Sequence, residues 1–444
     1  MIDISPELIT VLMLAGILTG VFMGFPLALS VGGVGMVLGI LAFGPNVAGE
    51  LYYGRFFSAL ENYTLLAVPL FVFMGTMLEH SGVAEGMYDA LYLWFGGLRG
   101  GLAVTTIIIG TVVAACVGII GASVTMLALI GLPAMINRGY DKSLAAGAVC
   151  AGGSLGILIP PSIMLVVYGP MAGLSVGRLF FAAFLPGFLL SGMYIVYVIV
   201  RCLIQPSIAP PVPASERAVP FMVKTAKLAK SLIPPVVLIL AVLGSIFLGI
   251  AAPTEAAAVG ALATIFLAAA YRRLNWHTLA RTAMTTVRVS GMVLLIGAMA
   301  FAFVGVFMRA NGDQVVSEFV LQAPGGKWGV FFIIMFICFI LGFLIDWLGI
   351  IFIMVPIVTP IAEAAGFDAL WFAMMICVNL QMSFMTPPFA YALFYVRGAA
   401  DPALGLTTAA IIRGMVPYVF IIVFALILLI VFPQIILWLP SMML

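Results

Sequence analysis

The chain is a nearly continuous series of long apolar segments separated by short polar turns. A helix needs about 20 apolar residues to cross the hydrocarbon core of a bilayer, so segments of this length predict membrane-spanning helices. We place eight of them near residues 6–24, 26–43, 62–80, 180–204, 232–250, 253–271, 289–309 and 407–432. Three segments that mix apolar and charged residues, near 84–98, 216–231 and 274–287, are expected to lie flat at the membrane interface.

Two regions, 101–175 and 328–400, have a different pattern, because Gly, Pro, Ser and Thr interrupt their apolar segments at short intervals. Each region predicts a re-entrant helical hairpin followed by a broken helix. The arms of the first hairpin are 101–119 and 121–137. The predicted tips lie at 118–123 and 346–349, and the predicted breaks at 159–162 and 385–388.

The sequence also repeats itself at an offset of 227 residues. This offset gives eight identities in 36 ungapped positions, namely Pro133 with Pro360, Gly139 with Gly366, Asp141 with Asp368, Ala146 with Ala373, Cys150 with Cys377, the pair Pro160 and Pro161 with Pro387 and Pro388, and Tyr168 with Tyr395. Each repeat is expected to cross the membrane an odd number of times, so the second is inverted relative to the first. The Pro-rich segment 205–217 is the predicted seam.

The distribution of basic residues tests this topology. With the amino terminus outside, 14 Lys and Arg residues fall inside, and four fall outside: Arg55, Arg178, Arg309 and Lys327. Basic residues concentrate on the cytoplasmic side of membrane proteins, so the model of two inverted repeats satisfies this rule. It predicts that both termini lie outside.

Composition narrows the possible functions. Hydrophobic residues make up 65% of the chain and charged residues 8%, too few charges to cover a soluble enzyme. The net charge of +2 does not favour nucleic acid as a partner. The five Cys residues are scattered, and the two His residues stand apart from any catalytic partner. We therefore expect a helical membrane protein that is not an enzyme and has no cofactor.

The interrupted regions carry the candidate chemistry. Non-helical backbone inside a membrane is tolerated where it is buried in protein or lines a cavity. A break frees carbonyl oxygens that suit small cations, and the amino terminus of a half-helix attracts anions. The alternative is a kink that only packs against its neighbours. Because the double proline occurs twice, each time near a hairpin, we favour two symmetry-related cation sites with a substrate between them.

Four motifs resemble the large membrane subunit of tripartite ATP-independent periplasmic (TRAP) transporters, the DctM type. They lie at 139–141 and 152–162 in the first half and at 342–346 and 386–388 in the second half. The resemblance covers essentially the whole chain. It implies an elevator-type fold and sodium-coupled import of an organic anion, such as a C4-dicarboxylate, across the bacterial inner membrane. It also implies two partners: a small four-helix membrane subunit, expected as a separate chain, and a periplasmic substrate-binding protein.

The predicted sites follow from the breaks, the tips and this resemblance. Sodium site 1 comprises Gly118, Gly121, Ser123, Gly153, Ser154 and Pro160. Sodium site 2 comprises Asp346, Gly349, Asn379, Thr386 and Pro387. The predicted substrate cavity comprises Ser123, Ser162, Arg309 and Gln381. Asp346 could instead form a packed ion pair, and Arg309 could equally reach the outer surface of the membrane. Glu255 is interpreted as a helix cap.

The predicted division is into scaffold segments 1–98 and 232–325, transport segments 99–204 and 326–444, and a cytoplasmic linker with an amphipathic helix at 205–231. Two departures from the family pattern stand out. The tip sequence 120–123 has one Ser fewer than the usual Ser-Gly-Ser, and Asn379 and Gln381 occur where Gly-rich sequence is common. The alternative function is a stand-alone sodium/carboxylate symporter of similar architecture, which would need neither partner.

Overall fold

The computed structural model describes residues 4–118, 120–387 and 390–443, apart from the side chains of Cys116, Val117 and Arg217. Within these residues the regular structure is helical throughout, in agreement with the predicted fold class. The helices of the first half are α1 (Pro6–Phe22), α2 (Leu27–Phe43), α3 (Pro45–Leu60), α4 (Ala67–His80), α5 (Val83–Phe95), α6 (Gly101–Val117), α7 (Ile120–Ile136), α8 (Lys142–Ser154), α9 (Ile163–Ala172), α10 (Val176–Ile204) and α11 (Ala214–Arg217).

The second half repeats this series of helices. Its helices are α12 (Phe221–Phe247), α13 (Pro253–Ala270), α14 (Trp276–Arg309), α15 (Gly312–Leu321), α16 (Gly326–Leu341), α17 (Trp347–Ala364), α18 (Ala369–Met385), α19 (Tyr391–Ala399), α20 (Thr408–Val431) and α21 (Gln434–Leu437). Adding 227 to the first residue of α7 and of α8 gives the first residue of α17 and of α18. The repeat seen in the sequence is therefore a repeat of helices.

Both broken helices begin with the same aspartate cap. Asp141 accepts hydrogen bonds from the backbone amides of Ser143 and Leu144 at 3.0 and 2.9 Å, which starts α8. Its repeat partner Asp368 accepts from the amide of Trp371 at 2.8 Å, which starts α18. An aspartate at this position satisfies amides that have no partner inside the helix. Glu255 plays a related role in α13, where it accepts from the amide of Ala252 at 2.9 Å, so its predicted capping role is confirmed.

Seven helices in the described part of the chain are long and apolar enough to span a membrane. They include α10, α12, α14 and α20, and many of their large apolar side chains are exposed, as expected for lipid-facing surfaces. The arms of the first hairpin, α6 and α7, have 17 residues each and are mostly buried. These features describe a multi-pass membrane protein with its interrupted helices inside.

The prediction of separate interfacial helices at 216–231 and 274–287 is wrong. Residues 221–231 and 276–287 are the first turns of α12 and α14, which continue without a break into the following spans. No Gly or Pro lies between residues 276 and 290, so nothing there interrupts the backbone hydrogen bonds of α14. Helix α3 was not predicted, because residues 45–60 are too polar for a membrane span. At the offset of 227 residues, α3 corresponds to the first part of α14.

The linker is fixed across the base of the first hairpin. The amide of Asp141 donates to the carbonyl of Ile208 at 2.8 Å, and that of Gly100 donates to Ala209 at 3.3 Å. The amide of Val212 donates to the carbonyl of Gly96, at the end of α5, at 2.8 Å. These bonds join the linker to both sides of the predicted boundary at residues 98 and 99.

An ion pair adds to this attachment. Arg138 lies 2.9 Å from the carboxylate of Glu216, which also accepts a 2.6 Å hydrogen bond from the hydroxyl of Tyr92. The hydrogen bonds from Arg138 and Tyr92 lower the pKa of Glu216, so its carboxylate stays charged. Exposed ion pairs contribute little stability, so the backbone bonds are the main attachment of the linker.

Candidate functional site

The two broken helices meet at equivalent positions of the two repeats. The amide Nε2 of Gln381 on α18 donates to the carbonyl of Ser154 at the end of α8, at 3.4 Å, and the two residues are 227 positions apart. An axis that relates the repeats must pass close to this contact. The hydroxyl of Ser154 donates to the carbonyl of Ala151 at 2.9 Å and lies 3.6 Å from the sulfur of Met385. Ser154 and Gln381 are therefore brought together.

The break in the first broken helix comes directly after Ser154, the last residue of α8. After Ser154 a short 3-10 turn, Leu155–Ile157, leads to a cis peptide bond between Pro160 and Pro161. Neither proline has an amide hydrogen, so the helical hydrogen-bond pattern cannot continue through them. The hydroxyl of Ser162 donates across the break to the carbonyl of Ile157 rather than capping α9. The amino terminus of α9 thus lacks a side-chain cap.

The tip of the first hairpin lies against this break. Gly118 has a φ of +64°, and a Cβ on it would lie 3.2 Å from the amide nitrogen of Ile163, the first residue of α9. A Cβ on Gly153 would lie 2.8 Å from the Cα of Val124 on α7. Gly118 and Gly153 therefore allow the tip, α8 and the start of α9 to approach one another closely. Ile119, which belongs to the predicted tip 118–123, lies outside the described residues.

The first hairpin also contacts the other repeat. A Cβ on Gly121 would lie 2.8 Å from the ring carbon Cζ of Tyr395 on α19. Helix α19 packs on α7, and in the equivalent arrangement α9 packs on α17. Each half-helix therefore packs against the hairpin of the opposite repeat. Tyr395 was not among the predicted site residues, although its match with Tyr168 in the repeat could have identified it.

Of the buried side-chain oxygen atoms that have no hydrogen-bond partner among the described residues, two belong to residues of the predicted sites. They are the hydroxyl of Ser123 on α7 and the side-chain oxygen Oε1 of Gln381 on α18, and both residues have an exposure of 0%. A buried polar atom without a partner is costly, so such atoms commonly bind water or an ion. Oxygen atoms are also the ligands that hard cations prefer.

The second predicted site is more dispersed. Asp346 is half-buried, directly precedes α17, and lies within electrostatic range of Tyr391 and Tyr395 on α19. A negative charge suits this end of a helix. A Cβ on Gly349 would lie 2.7 Å from a methyl carbon of Leu27 on α2, so Gly349 packs closely against α2.

The second break is only partly described. The hydroxyl of Thr386 donates to the carbonyl of Met382 at 2.7 Å, and Pro387 is exposed. The prediction for Pro388 falls outside the described residues. Helix α19 begins after the break and, like α9, has no side-chain cap at its amino terminus.

Asn379 and Arg309 make other contacts. The amide Nδ2 of Asn379 donates to the carbonyl of Met335 on α16 at 2.8 Å, which ties α18 to the first arm of the second hairpin. Arg309 is exposed at the end of α14, and its guanidinium carbon lies 5.5 Å from the centre of the Phe43 ring. The described contacts do not join either residue to the crossing at Ser154 and Gln381.

Comparison with known proteins gives the family. The family model "Tripartite ATP-independent periplasmic transporter, DctM component" matches residues 10–435. The chain is 32% identical over 412 residues to the C4-dicarboxylate TRAP transporter large permease protein DctM of Pseudomonas aeruginosa, covering 92% of this chain and 93% of that protein. It is 30% identical to the sialic acid TRAP transporter large permease protein SiaM of Vibrio cholerae, covering 95% and 96%.

Another relative is named for a different solute. The ectoine TRAP transporter large permease protein TeaC of Halomonas elongata is 26% identical, covering 98% of this chain and 99% of that protein.

Among solved structures, the YdaH transporter of Alcanivorax borkumensis has a similar fold, with a TM-score of 0.64, 14% identity and coverage of 89% and 90%. The chain also resembles MtrF of Neisseria gonorrhoeae, with a TM-score of 0.56, 15% identity and coverage of 89% and 84%. The fold, the repeated broken helices and the family match agree: this chain is a transporter permease rather than an enzyme, and it belongs to the DctM component family of tripartite ATP-independent periplasmic transporters.

Proposed function

We propose that this chain is the large subunit of a sodium-coupled importer of a small organic anion, a C4-dicarboxylate or related carboxylate. The contact between Gln381 and Ser154 is the observation that carries the proposal. It joins two broken helices at the axis of the repeats, where inverted-repeat transporters bind substrate and coupling ions. The relatives are named for different solutes, so family membership alone leaves the solute open.

The oxygen atoms near this contact support sodium as the coupling ion. The hydroxyl of Ser123 and Oε1 of Gln381 are buried without partners, and prolines interrupt the backbone of both broken helices. Asp346 adds the carboxylate at the tip of the second hairpin. A proton-coupled carrier would be expected to line its path with several carboxylates or histidines, which this region lacks in sequence.

The uncapped half-helices support an anionic substrate. Helices α9 and α19 start beside the hairpins, and no side chain caps either amino terminus. The positive end of a helix attracts a carboxylate, and no side chain competes for the first amides of these two helices. Ser123, Ser162 and Gln381 would supply polar contacts around the substrate, and Arg309 remains a proposed contact from the scaffold.

An elevator motion is the mechanism we favour. Because α9 packs on α17 and α19 on α7, the hairpins and half-helices of both repeats form one interlocked unit. Movement of this unit as a whole would carry the polar backbone of the breaks with its protein walls, and so would avoid exposing it to lipid. Inverted repeats favour two related arrangements, one open to each side.

Family membership supports the two partners and the location. We propose a separate four-helix membrane subunit, a periplasmic binding protein that delivers the anion, and an inner-membrane position with both chain termini in the periplasm. The alternative of a stand-alone symporter predicts uptake by this chain alone.

Uptake into proteoliposomes tests both the coupling ion and the partners. The complete complex is reconstituted, and its binding protein is loaded with a radiolabelled C4-dicarboxylate or another organic acid that the binding protein binds. The proteoliposomes are then exposed to an inward sodium gradient or an inward proton gradient. We expect uptake only with sodium and only with all three components. Uptake driven by protons in the absence of sodium would contradict the coupling, and sodium-driven uptake by the large subunit alone would favour the stand-alone symporter.

A further inference from the structure

Two cavities adjoin one another between α10 and α20, away from the crossing of the broken helices. The first is the more polar of the two, has a volume of about 470 Å³, and is lined in part by Asp141, Arg201 and Arg413. The second is apolar and open, has a volume of about 650 Å³, and is lined in part by Val200 on α10 and Phe424 on α20. Tyr197 lines both cavities, so the two lie next to each other.

The polar cavity has an excess of positive charge. Arg201 and Arg413 are exposed, and neither guanidinium group forms an ion pair or a hydrogen bond within the described part of the chain. The carboxylate of Asp141 faces the same cavity, but its Oδ1 already accepts the amides of Ser143 and Leu144 that start α8. Two guanidinium groups against one carboxylate favour an anionic ligand, and arginine suits a phosphate group because it can donate two hydrogen bonds at once.

The dimensions of the apolar cavity indicate what is attached to that anion. On α20, the lining residues Arg413, Pro417, Ile421 and Phe424 are spaced three or four apart and so follow one face of the helix. From Arg413 to Phe424 the helix rises by about 16 Å. Half of the hydrocarbon core of a bilayer is about 15 Å thick. The groove therefore has the length of one leaflet, with the arginines at its polar end.

We infer that these cavities form a binding site for an anionic phospholipid, with its phosphodiester at Arg201 and Arg413 and an acyl chain in the groove between α10 and α20. Basic pockets between membrane helices are suited to lipid headgroups on the side of the membrane where basic residues concentrate. A soluble organic anion would occupy the polar cavity only, since the groove offers it nothing to bind. The groove therefore distinguishes the two sources of negative charge.

Native mass spectrometry of the full-length protein in detergent can test this inference. The protein is titrated with phosphatidylglycerol, phosphatidylcholine or glycerol 3-phosphate. One variant combines Arg201→Gln and Arg413→Gln. A second, Gly192→Phe, fills the groove; Gly192 lines it, and a Cβ there would meet no atom within 4 Å, so this change should not disturb the fold. The control combines Arg281→Gln and Arg288→Gln, which removes the same charge from exposed positions on α14.

We expect phosphatidylglycerol to bind at least tenfold more tightly than phosphatidylcholine, and both test variants to lose at least tenfold in affinity for it while the control does not. Three results would overturn the inference. Equal loss in the control would indicate nonspecific attraction. Unchanged phosphatidylglycerol binding in Gly192→Phe, with glycerol 3-phosphate lost in the arginine variant, would indicate a soluble-anion pocket. Equal affinity for the two lipids would remove the role of charge.

Discussion

Replacing Asp346 with asparagine is expected to reduce uptake strongly and to weaken the apparent affinity for sodium by about tenfold or more. The change keeps the shape of the side chain but removes its charge from the tip of the second hairpin, where Asp346 is half-buried at the start of α17. Contacts to a charged group contribute about 1.5–3 kcal/mol, which corresponds to at least a tenfold change in affinity. The measurement is initial uptake by the reconstituted complex as a function of sodium concentration.

Asp89→Asn is the matched control, because Asp89 is an exposed aspartate on α5 and is outside the proposed sites. It should leave the sodium dependence unchanged. Normal sodium dependence in Asp346→Asn would show that Asp346 has a structural role at the hairpin tip and does not help to bind the ion.

A second large effect is expected from Gly153→Val, which should destabilise the packing of the first hairpin on α8 and abolish uptake. A Cβ at residue 153 would lie 2.8 Å from the Cα and 2.9 Å from the amide nitrogen of Val124. These are backbone atoms that no change of side-chain conformation can move, so α7 and α8 must separate. Overpacking of this kind typically costs 1–3 kcal/mol or more.

The comparison variant is Gly291→Val on α14, where the residue is exposed and an added Cβ would meet no atom within 4 Å. Both variants add the same side chain to a helix, so the difference between them isolates the contact with Val124. Thermal unfolding in detergent and uptake should both be impaired in Gly153→Val alone. Equal stability of the two variants would contradict the close approach of α7 and α8.

The sequence was most informative where chemistry restricts the backbone. The double prolines and the 227-residue offset, which pairs Asp141 with Asp368, have a physical meaning in the sequence, and the structure has a cap or a helix boundary at the corresponding positions. Membrane spans could also be predicted from the sequence, because their length follows from the thickness of the bilayer. These features were enough to predict an all-helical fold with two repeats, as observed.

Contacts between residues that are distant in the sequence could not be predicted in this way. Nothing in the pattern around Asn379 indicates that its amide bonds to Met335, 44 residues away. Arg309 ends an apolar span, and that position alone does not reveal its contact with the ring of Phe43. The continuity of α14 was missed because its polar first turns were interpreted separately from its apolar remainder, although a helix changes character along its length without a break.

The motion of one body against the other is the central claim, and reversible crosslinking tests it most directly. Two pairs of introduced cysteines cross the proposed boundary, in a protein lacking its five native cysteines. The first pair replaces Leu27 on α2 and Gly349 on α17, where a Cβ on Gly349 would lie 2.7 Å from a Leu27 methyl carbon. The second replaces Gly177 on α10 and Ile246 on α12, where the corresponding distance is 3.1 Å.

A third pair replaces Gly86 on α5 and Ser231 on α12, the helix that continues from the linker into the scaffold, and serves as the control because it does not cross the boundary with the transport segments. A Cβ on Gly86 would lie 4.0 Å from the Cβ of Ser231, a separation that suits a disulfide. We predict that oxidation of either boundary pair stops uptake, that reduction restores it, and that the control pair crosslinks without loss of activity. Full crosslinking of both boundary pairs with normal uptake would contradict movement of the transport segments as one body against the scaffold.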